Sequence, residues 1–148
     1  MRCSNCQNTE TKVLDSRPVE DGTAIRRRRE CEKCEFRFST YEEMEILGLQ
    51  VQKRSGGRQL YSREKLERGI RRSFEKREHT DESLRKLLSG IEQDIQKKAR
   101  DGVIPSAAIG DIVMKRIKQI DKVAYIRFAS VYRQFEDVEE FKAEIQRL

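Results

Sequence analysis

The 148-residue chain has few of the features that build membrane spans or catalytic sites. It contains one histidine, two prolines and four cysteines, and its mean hydropathy is −0.85. No apolar run approaches the roughly eighteen residues that cross a membrane. The stretch from Met1 to Asn5 has none of the apolar character of a secretory signal. We therefore expect a cytoplasmic protein without a membrane segment.

Catalytic patterns are also missing from the sequence. The single histidine, His79, stands between charged residues, with no serine, cysteine or pair of carboxylates arranged beside it. The chain has no Walker motif, no G-x-G-x-x-G motif and no obvious Mg²⁺ cage. These absences predict a protein that is not an enzyme. An enzyme or enzyme subunit that uses a nucleotide as substrate is the alternative.

The four cysteines form two C-x-x-C pairs, Cys3 with Cys6 and Cys31 with Cys34. Each pair points two sulfurs at one ion, and two pairs complete the thiolate tetrahedron that structural zinc prefers. A site closed by four thiolates has no open coordination position for water. It therefore indicates a metal that stabilises the fold rather than one that takes part in catalysis. We predict one structural Zn²⁺ per chain. Iron, a thioredoxin-like redox pair and two disulfides are the alternatives.

The charge of the chain indicates a polyanionic partner. The formal net charge is +6, and its most concentrated part is a run of four arginines in a predicted strand. Alternate side chains of a strand face opposite ways, so Arg26 and Arg28 project to one face and Arg27 and Arg29 to the other. Arginine offers paired donors to phosphates and to guanine edges; a solvated strand is the alternative. The predicted nucleic-acid contacts are Arg17, Arg26, Arg27, Arg28, Arg29 and Arg37.

Residues 1–41 read as a small β-rich domain. Strands are predicted over residues 11–17, 23–29 and 36–41, with Glu20-Asp21-Gly22 as the first turn. Together they form a three-stranded ribbon held by the metal. Residues 42–48 are a connector with an apolar centre.

The remainder predicts a mostly helical domain that opens with a β-hairpin over residues 49–61. Ser62 and Thr80 are helix N-caps, Gly102 ends the second helix, and Pro105-Ser106 begins the third. The segment 123–135 is apolar nearly all round and predicts a buried central helix. The domain boundaries are 49–139 for this domain and 140–148 for a C-terminal helix. The fold class is therefore α+β.

Two features of this domain suggest a phosphate ligand only weakly. Lys53 and Arg54 stand at a strand end just before glycines, where exposed backbone N–H groups hold polyphosphate; a surface turn is the alternative. The helical stripe that contains Tyr125 and Tyr132 fits core packing by default, with a buried hydroxyl beside a polar ligand as the minority interpretation.

Taken in their order along the chain, these motifs resemble those of the NrdR family, which are bacterial repressors of ribonucleotide reductase genes. The resemblance spans essentially the whole chain. The quoted blocks are Cys3-x-x-Cys6, Lys12 to Arg17, Arg26 to Arg29, Cys31-x-x-Cys34, Phe36 to Thr40, Val51-x-Lys53-Arg54 and Asp121 to Arg133. The last block is the most specific. The sequence departs from the family in the first C-x-x-C turn, or knuckle: relatives often have proline there, whereas this chain has Ser4-Asn5. It has Gln59-Leu60-Tyr61 where many have Glu-Pro-Phe.

The resemblance implies a DNA-binding zinc ribbon followed by an ATP-cone, which binds ATP or dATP under a hairpin lid without needing hydrolysis. Mg²⁺ is a candidate companion ion. The residues it assigns to the nucleotide are Val51, Lys53, Arg54, Lys65, Tyr125 and Tyr132. It implies a homo-oligomeric repressor that binds double-stranded operator DNA, with ATP or dATP controlling its assembly. A nucleotide-independent zinc-ribbon module is the alternative.

Overall fold

The computed structural model describes residues 1–19, 22, 24–46, 48–133 and 135–148. The chain divides into two compact units, Met1–Glu45 and Ile46–Leu148. The α+β fold class is confirmed, with a β-rich first unit and a mostly helical second one. No helix within these residues is both long and apolar enough to cross a membrane.

The first unit is an antiparallel sheet of three strands in the order β1-β2-β3. The strands are β1 (Thr11–Pro18), β2 (Ala24–Cys31) and β3 (Arg37–Glu43). The register of β1 on β2 shifts between Val13 and Asp15, so Leu14 forms an irregularity there. Of the predicted first turn, Glu20 and Asp21 lie outside the described residues, whereas Gly22 has the positive φ of 69° that glycine adopts readily.

The second unit begins with a sheet in the order β5-β4-β6. Its strands are β4 (Gln50–Gln52), β5 (Arg58–Leu60) and β6 (Val103–Pro105). The hairpin β4–β5 agrees with the sequence prediction, but β6, which pairs parallel to β4, does not appear in it. The prediction that Gly102 ends the second helix is wrong, because that helix ends at Lys98. Gly102, with φ of 71°, lies in the turn that leads into β6.

The described residues of this unit also form five helices, with β6 between the second and the third, and side chains cap most of their first turns. They are α1 (Arg63–Ser73), α2 (Asp81–Lys98), α3 (Ser106–Ile120), α4 (Lys122–Tyr132) and α5 (Val138–Gln146). Ser62 accepts a hydrogen bond from the Lys65 N–H, and Thr80 forms a capping box with Ser83, as the sequence indicated. Asp121 caps α4 by accepting two backbone N–H groups, and its carboxylate pairs with Arg77 at 2.8 Å.

The core of this unit lies between the small sheet and the helices. Its fully buried side chains include Ile70, Leu84, Leu88, Ile91, Ile95, Ile104, Val113 and Ile117. The prediction of a helix buried all round is wrong for α4. Val123 and Val131 are 45% and 79% exposed, and the helix ends at Tyr132 rather than Phe135. Ile120, the last residue of α3, is also exposed.

Candidate metal centre, nucleic-acid interface and nucleotide site

The four cysteine sulfurs converge on one point. Their Sγ atoms all lie within 4.8 Å of one another, with Cys3 to Cys34 at 3.7 Å and Cys6 to Cys31 at 3.6 Å. A tetrahedron of zinc–sulfur bonds of about 2.3 Å requires sulfur separations of roughly 3.8 Å. The donor set and its size therefore fit a structural zinc ion.

Both knuckles are built alike. The residue after each second cysteine, Gln7 or Glu35, has a positive φ, 61° and 55° respectively. Its N–H then donates to the carbonyl of the first cysteine of the pair, at 2.9 Å in both cases. This tight reversal turns the two sulfurs of a pair toward the same side. Because the left-handed backbone is imposed on non-glycine residues here, the knuckles hold a small amount of strain.

The thiols do not ionise alike without a cation. The Asn8 N–H lowers the pKa of Cys6, but hydrogen bonds to Cys34, Cys31 and Cys3, together with burial, raise it to about 12. Burial raises the pKa of Cys31, but the N–H groups of Cys34 and Lys33, together with hydrogen bonds from the Cys6 and Cys34 thiols, lower that pKa to about 6. Neighbouring sulfurs thus share protons, and a divalent cation would replace them.

One face of the ribbon collects exposed arginines from two strands. Arg17 lies directly opposite Arg26, and Arg28 is two residues further along β2 on the same side. All three side chains are exposed. Asp15, opposite Arg28, pairs with Arg17 at 2.9 Å. We call Arg17, Arg26 and Arg28 the cationic face.

The opposite face holds its arginines more tightly. Arg27 pairs with Glu42 at 2.7 Å, and Arg29 donates to the Thr40 hydroxyl at 3.3 Å. Both side chains are half-buried, whereas no ion-pair partner of Arg28 lies among the described residues. Arg26 also donates to a hydroxyl, that of Ser39 at 3.2 Å, but its side chain remains exposed. The predicted alternation of the run is confirmed, and it separates the arginines into an exposed pair, Arg26 and Arg28, and a half-buried pair, Arg27 and Arg29.

A buried carboxylate joins the three strands at the cysteine end of the ribbon. Glu30 is 8% exposed and pairs with Lys12 of β1 at 2.9 Å and with Arg37 of β3 at 2.6 Å. Lys12 and then Arg37 hold the pKa of Glu30 below its ordinary value. Arg37, a predicted nucleic-acid contact, is therefore engaged within the ribbon. Lys12 lies on the same side of the sheet as the cationic face. It was not predicted from the sequence, because its place there depends on the register that sets Lys12 opposite Glu30.

In the second unit, the hairpin meets α4. The Arg54 guanidinium lies over the Tyr132 ring, 5.3 Å from its centroid. The Tyr132 hydroxyl donates to the carbonyls of Ala107 at 2.9 Å and Ser106 at 3.3 Å, at the start of α3. Its ring lies so close to Gly110 that any Cβ there would overlap it. The hairpin turn, the start of α3 and the end of α4 therefore form one cluster.

The other predicted nucleotide residues lie around the hairpin in different settings. Lys53 and Lys65 are exposed, one at the hairpin turn and the other in the first turn of α1. Val51 is 6% exposed and sits between β5 and β6, so its side chain belongs to the core.

Tyr125 lies at the other end of α4 and contacts α5 instead. Its hydroxyl donates a hydrogen bond to Glu144, which is 2% exposed and pairs with Arg133 at 2.9 Å. The Lys118 ammonium lies 5.8 Å from the Tyr125 ring centroid. Burial, and then Glu144, raise the pKa of Tyr125. The structure does not bring Tyr125 to the Arg54–Tyr132 cluster.

A cavity of about 720 Å³ runs along α1 and α4 beside Tyr132. Its floor contains Phe128 and Tyr132, whose rings stack with centroids 6.1 Å apart. Its cations are Arg72, Lys76 and Arg127, and the last also donates to the Glu75 carbonyl at 2.5 Å. This volume is in the range of small-molecule sites. The sequence reasoning missed these cations because nothing in their spacing marks them.

Tyr61, one of the departures from the family pattern, anchors the hairpin to α2. Its hydroxyl donates to Glu92 at 2.9 Å, and Arg63 pairs with the same carboxylate at 3.0 Å. Glu92 is 6% exposed. Burial, followed by Glu92, raises the pKa of Tyr61, so its hydroxyl stays protonated and donates.

Comparison with known proteins agrees with this geometry. Residues 1–42 match the model of the NrdR-like transcriptional repressor N-terminal domain, a zinc ribbon, and residues 49–138 match the ATP cone domain. A transcriptional repressor NrdR of Oceanobacillus iheyensis is 51% identical over 146 residues, which cover 99% of this chain and 92% of the relative. The chain belongs to the NrdR family.

Other members of the family are similarly close. Transcriptional repressors NrdR of an Exiguobacterium species and of a Geobacillus species are 49% and 47% identical, and each alignment covers 100% of this chain. It spans 95% of the first relative and 96% of the second. These relatives are named repressors, in agreement with the predicted non-enzymatic character. The two matched domains confirm the predictions of a zinc ribbon and an ATP-cone, and an ATP-cone implies nucleotide binding.

Proposed function

We propose that the protein is a nucleotide-responsive repressor that binds operator DNA upstream of ribonucleotide reductase genes in the cytoplasm. Membership of the NrdR family supports this proposal. The observation that carries it is the division of the β2 arginines between two faces, one exposed and one half-buried, on a ribbon with four convergent cysteines. Residues 1–41 act as the DNA-binding domain and residues 49–139 as the nucleotide sensor.

The cationic face is the side of the ribbon that meets DNA. Its three arginines come from adjacent strands, which lie about 4.8 Å apart, so they form a compact patch rather than a line along one strand. Exposed arginines reach both phosphates and guanine edges. Phosphate contacts set the position of the ribbon on the duplex, and only the few arginines that enter a groove read sequence.

The nucleotide binds beside the hairpin, with Arg54 and Lys53 toward its phosphates and the Tyr132 ring nearby. Lys65 is available in the first turn of α1. A nucleotide changes assembly only if it binds one oligomeric form better than another, and we propose this differential affinity for ATP and dATP. The assembly presents ribbons in pairs, so paired binding adds to the modest affinity of a single ribbon.

Two double variants of equal charge test the DNA-binding face. We expect Arg26→Ala/Arg28→Ala to weaken binding to promoter DNA and to reduce the salt slope by about 0.9 for each phosphate that the variant no longer neutralises. Arg27→Ala/Arg29→Ala removes the same charge from the half-buried pair and serves as the matched control. Equal weakening in both variants would show that net charge, and not a defined face, governs binding.

The sensor is tested by titrating the zinc-loaded full-length protein with ATP and with dATP. Mass in solution and affinity for promoter DNA from a ribonucleotide reductase operon are measured in the same samples. A nucleotide-dependent change in both quantities supports the repressor mechanism and identifies the active form. Tight DNA binding that is the same with and without nucleotide would favour the alternative of a nucleotide-independent zinc-ribbon module. Absence of binding to that promoter DNA would refute the proposed target.

A further inference from the structure

The four sulfurs of the metal centre differ in their access to solvent. Cys3 and Cys31 are completely buried, whereas Cys6 and Cys34 are only partly covered. Zinc-bound thiolates keep their nucleophilic character, and reaction with an electrophile or oxidant follows exposure. Attack on the centre therefore begins at Cys6 or Cys34.

The side chain of Asn5 lies beside one of these two sulfurs, that of Cys34. The Asn5 carboxamide Nδ2 lies 3.6 Å from Cys34 Sγ, which makes it a donor from the first knuckle to a ligand of the second. Cys34 also accepts a hydrogen bond from the Phe36 N–H. Asn5 is itself exposed, so its side chain lies on the outer side of the cluster. This is the knuckle in which Ser4-Asn5 departs from the pattern of relatives.

We propose that Asn5 is a positioning residue that shields the Cys34 thiolate of the zinc-loaded ribbon from electrophiles and oxidants. An N–H···S hydrogen bond draws electron density from the sulfur and makes it a poorer nucleophile. The carboxamide also covers the partly exposed side of Cys34. Partners that hydrogen-bond to metal ligands typically change metal affinity or activity by about 10- to 100-fold. The chemical resistance of this ribbon is thus set in part by a residue that does not bind the metal.

Alkylation of the zinc-loaded full-length protein with iodoacetamide tests the proposal. The Cys34 sulfur forms a bond to the methylene carbon, iodide leaves, and the resulting thioether no longer holds zinc as a thiolate does. Released zinc is followed with a chromogenic chelator, and peptide mass spectrometry identifies the cysteine that reacts first. The variant is Asn5→Ala, and Ser4→Ala in the same knuckle is the matched control.

We expect Asn5→Ala to speed modification of Cys34 by about tenfold, the lower end of the effect of such partners, with Cys6 unchanged. Ser4→Ala should react like the wild-type protein. An Asn5→Ala rate equal to that of Ser4→Ala would overturn the proposal. So would equal acceleration at all four cysteines, because that result marks a loosened knuckle rather than a missing hydrogen bond.

Cobalt substitution gives a second readout that does not depend on reactivity. A thiolate without its N–H donor gives up electrons more easily, so the sulfur-to-cobalt charge-transfer band of Asn5→Ala should move to longer wavelength. The Ser4→Ala band should stay at the wild-type position. An unchanged band in Asn5→Ala would remove the electronic part of the proposal.

Discussion

The Arg54 guanidinium lies over the Tyr132 ring, 5.3 Å from the ring centroid. This contact joins a hairpin turn to the last residue of α4. The Tyr132 hydroxyl extends the connection to the start of α3 through Ala107. Tyr132 therefore couples the hairpin turn to two helices.

The first prediction concerns Arg54 itself. We expect Arg54→Ala to weaken binding of ATP and dATP by about tenfold or more, because a charge-assisted phosphate contact contributes roughly 1.5–3 kcal/mol. Isothermal titration calorimetry measures the change in affinity. Arg58→Ala removes an equally exposed cation from β5 of the same hairpin and is the control. Equal weakening in the two variants would indicate general electrostatic attraction by the hairpin.

The second prediction concerns the space occupied by Tyr132. Alanine at Gly110 would place a methyl group inside the Tyr132 ring, so we expect Gly110→Ala to displace the ring and destabilise the unit by about 1–3 kcal/mol. Urea unfolding followed by circular dichroism measures the free energy of unfolding.

Gly69→Ala in α1 is the matched control for that change. Its Cβ would be 3.8 Å from Phe128, an ordinary contact, so the higher helix propensity of alanine should stabilise the protein by up to about 1 kcal/mol. Stabilisation of Gly110→Ala to the same extent as Gly69→Ala would mean that the Tyr132 ring moves aside easily.

The third prediction concerns the buried carboxylate of Glu92. Tyr61→Phe removes one donor from it and leaves the ion pair with Arg63. We expect the free energy of unfolding to fall by about 1–2 kcal/mol. Leu60→Ala, at an exposed neighbour, should change stability by less than about 0.5 kcal/mol.

The pH dependence of the Tyr61→Phe effect has a defined sign. Because burial raises the pKa of Tyr61 in the folded state, the unfolded tyrosine ionises first, near its ordinary pKa of about 10. The stability difference between wild type and Tyr61→Phe should stay constant between about pH 7 and pH 9 and shrink as the pH rises further. A difference that grows above pH 10 would contradict this assignment.

The fourth prediction concerns removal of the metal. Chelation should unfold the ribbon, because four thiolates without a cation lack the energy that holds the two knuckles together. The helical unit has its own core, so its signals should persist. Amide NMR spectra distinguish the two: peaks from residues 1–45 collapse and those from residues 46–148 remain. Disappearance of helical structure on chelation would show that the second unit depends on the first.

Local chemistry explains which features the sequence could predict. Capping by Ser62 and Thr80 and the pairing of cysteines depend on residues close in the chain, and these predictions are confirmed. Strand β6 is three residues long, and its parallel partner β4 is distant in sequence, so no local pattern marks it. The exposure of Val131 on α4 depends on which helices pack around it, and composition alone overstated its burial.

The residues of the candidate sites were likewise predictable only where a local pattern determines their position. Alternation along β2 was predictable because it follows from the geometry of any strand. The position of Arg17 beside Arg26 required the cross-strand register. Tyr125 and Tyr132 are seven residues apart, about 10.5 Å along α4, and the Tyr125 hydroxyl contacts Glu144 of α5. A helical stripe does not show which neighbour each residue meets.

The arginine run also determines how tolerant β2 is to misalignment. Since all four consecutive positions carry the same residue, a one-residue slip of β2 past β1 would still leave arginines on both sides of the sheet. The charge of the arginine run therefore cannot distinguish the native alignment from its neighbours. Cys31, at the end of the same strand, can, because a shift of about 3.3 Å would carry its sulfur out of the tetrahedron. The metal thus fixes the alignment of the strand that bears the arginines, and loss of the metal would remove the register of these arginines together with the fold of the ribbon.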